Sequence, residues 1–524
     1  MKRKVSTLPA FVLVLVLMVS IFAGCGTQKV AQTTATATTA AVTAAQATEP
    51  ALNEVTLKFF FGGDKPSAAD EVWTALSEKF KDQLNAKFEI GFIGWADYKD
   101  KLSVMSASGD NWDGNFDGDW LAFPALSAAG TYKALNDLLP KYAPVLYEKY
   151  QQTGVLNAAT SNGNIIAMPW TMAQNTRPVL RYRADLVKKA NINVTKDSIK
   201  TIEDYDKFLG DLQASYPGMK NVFPNQNDGW GNPVLSLLTV RDEYAVLSHG
   251  FVFSMNDPKC TIVPVETLPI YLEASKYSRV WYEKGYIPKD AMVDKTDTNS
   301  YWNNGQSIVN VGNHEASNMP KENWWKDASW ENDTSLMYPD KKYYNRTPLA
   351  NVFCINKNAA NPERALIFCE LMETDKDFYD AVMYGILDKT YVLNGEAADF
   401  PAGIDAQTSN YLNWTGQWSW WKPQFMRPTP LYPEGFWVKE GEFAQQMGTV
   451  NPLDGLFFNT DNVKNELAKR DQLVAELAKP LSFGVVKDVD KSVADLVSKL
   501  KDAGTDAIVA DMQKQVDAFL AQKK

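Results

Sequence analysis

Histidine is almost missing from this chain of 524 residues: His249 and His314 are the only two. That scarcity removes most catalytic schemes built on an imidazole base. His314-Glu315 opens like a zincin motif, yet Asn318 stands where the second histidine belongs. Cysteine is equally sparse, with Cys25, Cys260, Cys354 and Cys369. The last three form an odd set without metal-type spacing, so neither a zinc site nor a disulfide framework is expected. Cys354 and Cys369 sit in apolar runs and read as free buried thiols. The chain also lacks a G-x-S-x-G elbow, a Walker loop, and a G-x-G-x-x-G following a strand. No cofactor and no metal are expected.

Positive charge is in deficit as well. The formal net charge is −10, and removing residues 1–25, with three cations and no acids, takes it to −13. Such a balance argues against nucleic acid or an anionic polymer as ligand. No long apolar run is present either. Phe11 to Phe22, behind the basic Lys2-Arg3-Lys4, is about a dozen residues, which suits a signal peptide better than a membrane span.

Phe22-Ala23-Gly24-Cys25, at the end of that leader, resembles the lipobox of bacterial lipoproteins. The resemblance implies removal of the leader ahead of Cys25, within the segment 1–25, and lipidation of that cysteine, palmitate included. The Ala-, Thr- and Gln-rich stretch 26–52 carries almost no charge and little that can be buried, so it is expected to remain a flexible tether.

What is present is a body of about 470 residues, enough for two or three domains with cores of their own. Val55 to Phe61 reads as a strand ending in Gly62-Gly63. A helical pattern through Val72, Leu76 and Phe80 follows, then a strand over Phe88 to Ile93, then a helix face with Tyr98, Leu102 and Met105. Strand, helix, strand, helix implies an α/β layer with a mainly parallel sheet, whose ligand loops lie beyond the carboxyl ends of the strands. Asp113-x-Asn115-x-Asp117-Gly118 matches the front half of a calcium loop, but Pro124 occupies the position of the bidentate glutamate. A polar loop at a cleft edge, carrying Asp117, Asp119 and Trp120, is expected instead. A mainly helical middle follows, and strands return at Ser307 to Gly312 and Leu349 to Ile355, before a helix with Pro362 at its first position capped by Asn361. Discontinuous lobes are therefore expected: 53–175 with 306–358 as lobe 1, 176–305 with 359–450 as lobe 2, and a mostly helical segment 451–524 packed on them.

Tryptophan is the abundant resource, with sixteen residues, all after the leader. Flat indole faces pack against the C–H faces of sugar rings, and amides or carboxylates at the rim take the hydroxyls. Trp73 and Trp281 fall on apolar helix faces and are expected in the core. Trp95, Trp120, Trp170 and Trp230 sit in loops and are candidate ligand walls, as are Trp414 and Trp418 of the cluster Asn413 to Trp421. Extended alternation would put Trp418 and Trp420 on one side. Asp117, Asp119, Asn313 and Glu315 are the candidate hydrogen-bonding partners.

Trp95-x-x-Tyr98-x-x-Lys101-Leu102, Met168-Pro169-Trp170, Arg183-Ala-Asp185-Leu186 and Asn361-Pro362-Glu363-Arg364, taken in order with the leader, resemble family 1 extracellular solute-binding proteins of ABC importers. Pro452 to Val463 and the helices after it resemble the C-terminal domain of LipO-type lipoproteins in that family. The resemblance implies a bilobal periplasmic-binding-protein-like fold, α/β in each lobe, with a hinge. It implies a monomer on the outer face of the cell membrane that captures a carbohydrate and hands it to ABC permease subunits without chemical change. A glycoside hydrolase, or a surface lipoprotein that senses a ligand, are the rival readings, since acids are plentiful enough for a carboxylate pair.

Overall fold

A computed structural model describes residues 52–522 except 162, 176, 223–231, 295, 297, 315–324 and 328, and the backbone alone at 298, 299 and 313. The first core grows from the strand Val55–Gly62, where Leu57, Phe59 and Phe61 are completely buried. Its neighbours in the five-stranded sheet are Ala86–Ile93 on one side and Gly114–Asp117 on the other, both parallel to it. Val352–Ile355 then adds antiparallel, followed by the short Met168–Pro169. The expected strand–helix–strand–helix order holds, with helices at Ala69–Lys79 and Trp95–Ser108. Trp73 lies in this core, 3% exposed, and Cys354 and Cys369 are free and buried.

A second core surrounds Pro178–Arg183, which pairs antiparallel with Val309–Asn313 on one edge and Asn332–Ser335 on the other. Helices Ile202–Ser215, Pro233–Arg241 and Pro269–Lys284 cover it and bury Trp281 completely. Thr201 and Asp204 close a capping box at the start of the first, satisfying two backbone N–H groups that a helix leaves open.

Two expected lobe assignments change here. The described residues between 306 and 338 belong with the second core, since both their strands flank Pro178–Arg183. Residues 362–437 belong with the first: Leu366, Phe368 and Met372 of the helix Pro362–Thr374, and later Trp420 and Phe436, are part of the core that includes the five-stranded sheet. A strand's pattern declares that it will pair and not with what, so pairing across more than a hundred residues is invisible in it. Asn361 does precede Pro362, but its side chain donates to the Thr56 carbonyl instead of capping the helix.

Three chain crossings join the lobes and run side by side. Asn175 bridges to Asn345, and Tyr343-Tyr344 pairs in parallel with Gly448-Thr449. Past the third crossing, the C-terminal helices lie on the second lobe. Val493, Leu496 and Leu500 enter its core, while Leu467, Ile508 and Val516 meet Phe251 and Phe253 of a small three-stranded sheet. Among the described residues no helix is long and apolar enough to cross a membrane.

Candidate ligand-binding cleft

The strand Val55–Gly62 ends where a side chain would be in the way. A Cβ on Gly62 would overlap the indole of Trp95, which opens the helix after the neighbouring strand. Gly63 has φ +100, a conformation that other residues strongly resist, and Thr415 crowds the space beside it. The Thr415 hydroxyl donates to the Gly62 carbonyl, which docks the segment 413–421 over the carboxyl end of the sheet. Trp418 then stacks on Trp95 with ring centres 5.4 Å apart and planes 17° apart. Trp120 stands beside Trp95 at 5.7 Å, and its indole N–H donates to the Ala350 carbonyl at 2.7 Å.

These rings wall a cavity of about 1170 Å³ at the strand ends. Gln407, also in its lining, donates to the backbone carbonyl of Trp325 at 2.8 Å, and Trp325 packs under Arg183 of the second lobe. Gln407 thus ties the rim of the cavity to the second lobe, while the lining itself comes from the first lobe and the hinge residue Arg346. Asn413, Asn351, Gln417 and Arg346 supply polar atoms to its wall. Asn413 is the most informative of them. Both atoms of its amide are buried without a hydrogen-bond partner among the described residues, as is the indole N–H of Trp421. Its φ of +69 is one that asparagine tolerates better than most residues. A buried amide left unpaired costs roughly 1–3 kcal/mol, which a small shift bringing it to the cavity surface and onto a ligand would recover.

Of the residues expected from sequence, Trp95, Trp120, Trp414 and Trp418 line this cavity. Trp414 is mostly core, edge-on to Phe61 at 5.1 Å. Trp420 departs from expectation: Thr415–Trp420 is a 3₁₀ turn, which sends Trp418 outward and Trp420 inward against Phe353, 4.4 Å away. Trp170 does not line the cavity. It is buried beneath, stacked on Trp421 at 4.6 Å and donating to the Trp418 carbonyl at 2.8 Å, so it supports the wall. Asp119 opens onto an adjoining cavity instead. Cys25, Trp230 and Glu315, and the side chain of Asn313, lie outside the described residues. In the sequence Asn413 stands only as the opening of the tryptophan cluster, and nothing in the pattern singles out Arg346 or Asn351.

Asp117 needs the plainest correction, because Gly114–Asp117 is a buried central strand and no loop. Its carboxyl accepts from the backbone N–H groups of Gly118 at 2.9 Å and Ala122 at 3.0 Å, and from the Tyr132 hydroxyl. Asp113 is likewise occupied, accepting from the N–H groups of Lys58 and Asn361. The half-motif for calcium is thus spent on holding strands together. Burial pushes the Asp117 carboxyl up to about 7 despite those hydrogen bonds. An unfolded aspartate titrates near 3.9, so between about pH 4 and pH 7 the native state holds a proton that the unfolded chain has lost. Stability from this group is therefore fully present below about pH 4 and declines as pH rises to about 7. Asp117→Asn, which cannot ionise, should remove that decline: from pH 4.5 to 8 its unfolding free energy should gain on the wild type by on the order of 2–4 kcal/mol. Parallel stability curves in urea titrations would show the group is not protonated in the fold.

Residues 452–521 match the model of a domain of unknown function, DUF3502. A curated relative, a carbohydrate ABC transporter substrate-binding protein of Streptococcus pneumoniae serotype 4, is 25% identical over 492 residues, covering 89% of this chain and 91% of its own. Among solved structures, the N-glycan transport solute-binding protein NgtS of Streptococcus pneumoniae superposes with a TM-score of 0.75 at 22% identity, over 90% of this chain and 100% of its own. The ABC-transporter substrate-binding protein FusA of the same species, in complex with kestose, gives a TM-score of 0.61 at 16% identity, over 89% of this chain and 100% of its own. The fold is that of these bilobal solute-binding proteins.

Proposed function

We propose that this chain, with the fold of the carbohydrate importers' solute-binding proteins, is itself such a protein: it captures an oligosaccharide between its lobes and delivers it to an ABC permease. The single observation that carries the reading is the cavity wall, where the stacked Trp95 and Trp418 adjoin an asparagine amide with neither atom paired among the described residues. Sugar rings need a flat apolar face and polar atoms at the ring edge, and that wall offers both. The relatives named above for carbohydrate or N-glycan transport support the same reading. Turnover is not part of it. Hydrolysis of a glycosidic bond uses two carboxylates about 5–9.5 Å apart across the sugar. Among the described residues, Asp64 alone brings a carboxylate to the cavity that holds the stacked pair, and Asp119 and Asp454 line the adjoining one.

The test is a screen of mono- and oligosaccharides by thermal unfolding and tryptophan fluorescence. A true ligand at 100 times its dissociation constant adds about 2.7 kcal/mol to stability and leaves the sugar intact. If no sugar shifts the melt, or if one is cleaved, the proposal fails. Attachment through Cys25 to the outer face of the membrane, with the globular body held on the tether 26–52, completes the reading. Cys25→Ser should release the protein from the membrane fraction into the medium, and retention in that fraction would exclude the anchor.

A further inference from the structure

A second cavity, of about 490 Å³, adjoins the tryptophan-walled one and shares Trp120 and Arg346 with it. Trp120 is 47% exposed and pinned through its indole N–H to the Ala350 carbonyl, so its ring forms part of the wall of both. Arg346 is placed by the hinge: its backbone N–H donates to the Gln174 carbonyl at 2.8 Å, and its guanidinium lies over Trp170 at 5.4 Å. Along with these two residues and their chain neighbours, three parts of the chain line the far cavity. They are the hinge at Tyr344-Asn345, the exposed Val246 of the second lobe, and the turn from Asn451 to Phe458 that begins the C-terminal domain.

That turn is wedged between the cores. Phe457 meets Phe123 of the first lobe at 5.5 Å, while Leu453 is buried in the cluster beside the second. Gly455, at φ +87, is pressed against Ala158 so closely that a Cβ would come within 3.2 Å of its backbone. The lining chemistry repeats that of the first cavity, with aromatic faces from Tyr344 and Phe458 and polar groups from Asp119, Asn345 and Asp454. Such a wall suits a second stretch of hydroxyl-rich ring chain.

We infer that the two cavities are one elongated site for a linear oligosaccharide, which passes Trp120 and Arg346 and ends against the first turn of the C-terminal domain. The domain of unassigned role is then a determinant of ligand length. This rests on the carbohydrate-binding reading above.

Val246 provides the test, since it is 55% exposed on an edge strand and lines only the far cavity. Linear glucose-, mannose- and fructose-based oligosaccharides of one to six units are titrated calorimetrically against the full chain and against Val246→Trp. For a series that binds, affinity should climb with length by at least fivefold beyond its shortest binding members, a gain of the size one further aromatic stack supplies. Val246→Trp should bind those short members like the wild type and lose the gain, and Val246→Arg, a different filler at the same place, should do the same. An affinity that levels off among the short members, a long-chain gain that survives both fillers, or an equal loss at every length would each overturn the inference. Failure of every sugar to bind the wild type would instead remove the carbohydrate reading itself, and the inference with it.

Discussion

Trp418→Ala should weaken sugar binding by thirtyfold to several hundredfold, with little change in the stability of the protein. The side chain is only partly buried and its main partner is the face of Trp95. The contacts that hold its backbone are made by others: the indole N–H of Trp170 donates to its carbonyl, and Thr415 docks the turn on Gly62. Truncation therefore strips one wall of the cavity without loosening the loop. Aromatic anchors in desolvated recognition sites commonly cost 2–4 kcal/mol when cut to alanine, which sets the expected range. Trp418→Phe keeps a flat face in place and should retain most of the affinity. Trp420→Ala, two residues on, should do the opposite: its ring fills the core against Phe353 and Phe368, so about 3–5 kcal/mol of stability should go. Whatever Trp420→Ala protein remains folded should bind nearly as before. Calorimetric titration of both variants, alongside urea unfolding, separates the roles. Equal affinity for Trp418→Ala and wild type would mean that the stacked pair is not where the ligand sits.

How much of this cleft was legible depended on the range of the forces involved. Trp95 and Trp120 announced themselves because aromatic residues beside glycine and aspartate, at the ends of strand patterns, have few local reasons to be there. Trp73 and Trp281 were equally plain as core, since helical periodicity is a local property. The strand–helix–strand–helix opening of the first lobe follows from the same short-range periods and is present as expected. Asp117 was misread for the opposite reason. An Asp-, Asn- and Gly-rich stretch has the composition of a loop, yet parallel pairing with Phe59-Phe60 and antiparallel pairing with Val352–Ile355 make it a strand. Its acids are then satisfied by N–H groups as distant in sequence as Asn361. The lobe boundaries failed similarly, because which sheet accepts Val309–Asn313 is decided by Pro178–Arg183, about 130 residues earlier. Trp170 and Trp418 illustrate the finest case. Both are tryptophans in irregular chain, and only the packing of Trp421 beneath one and Trp95 beside the other makes the first a support and the second a wall.

Arg470→Ala should lower the free energy of unfolding by about 3–5 kcal/mol, and the loss should appear first in the C-terminal domain. Arg470 is completely buried, and its guanidinium meets Glu266, 2% exposed, at 2.6 Å. It also donates to the His249 carbonyl at 3.1 Å, reaches the Thr505 hydroxyl at 3.3 Å, and lies over the Phe251 ring at 4.4 Å. One side chain from the helix Lys464–Leu473 thus holds a second-lobe turn, a second-lobe strand and the start of the helix Thr505–Gln522. Without it, the carboxyl of Glu266 is left in an apolar pocket with no counter-charge, and it must take up a proton or draw water in. The magnitude reflects that stranded partner more than the net worth of the pair. Replacing both residues by apolar ones of similar size, Arg470→Met with Glu266→Met, should therefore recover most of the loss. Hydrogen exchange should show protection falling in Lys464–Leu473 and Thr505–Gln522 before the five-stranded sheet is affected, because no side chain of the first core depends on Arg470 in this network. A single variant as stable as the wild type, or a double variant no better than the single, would show that the buried pair is not what fastens the C-terminal domain to the second lobe.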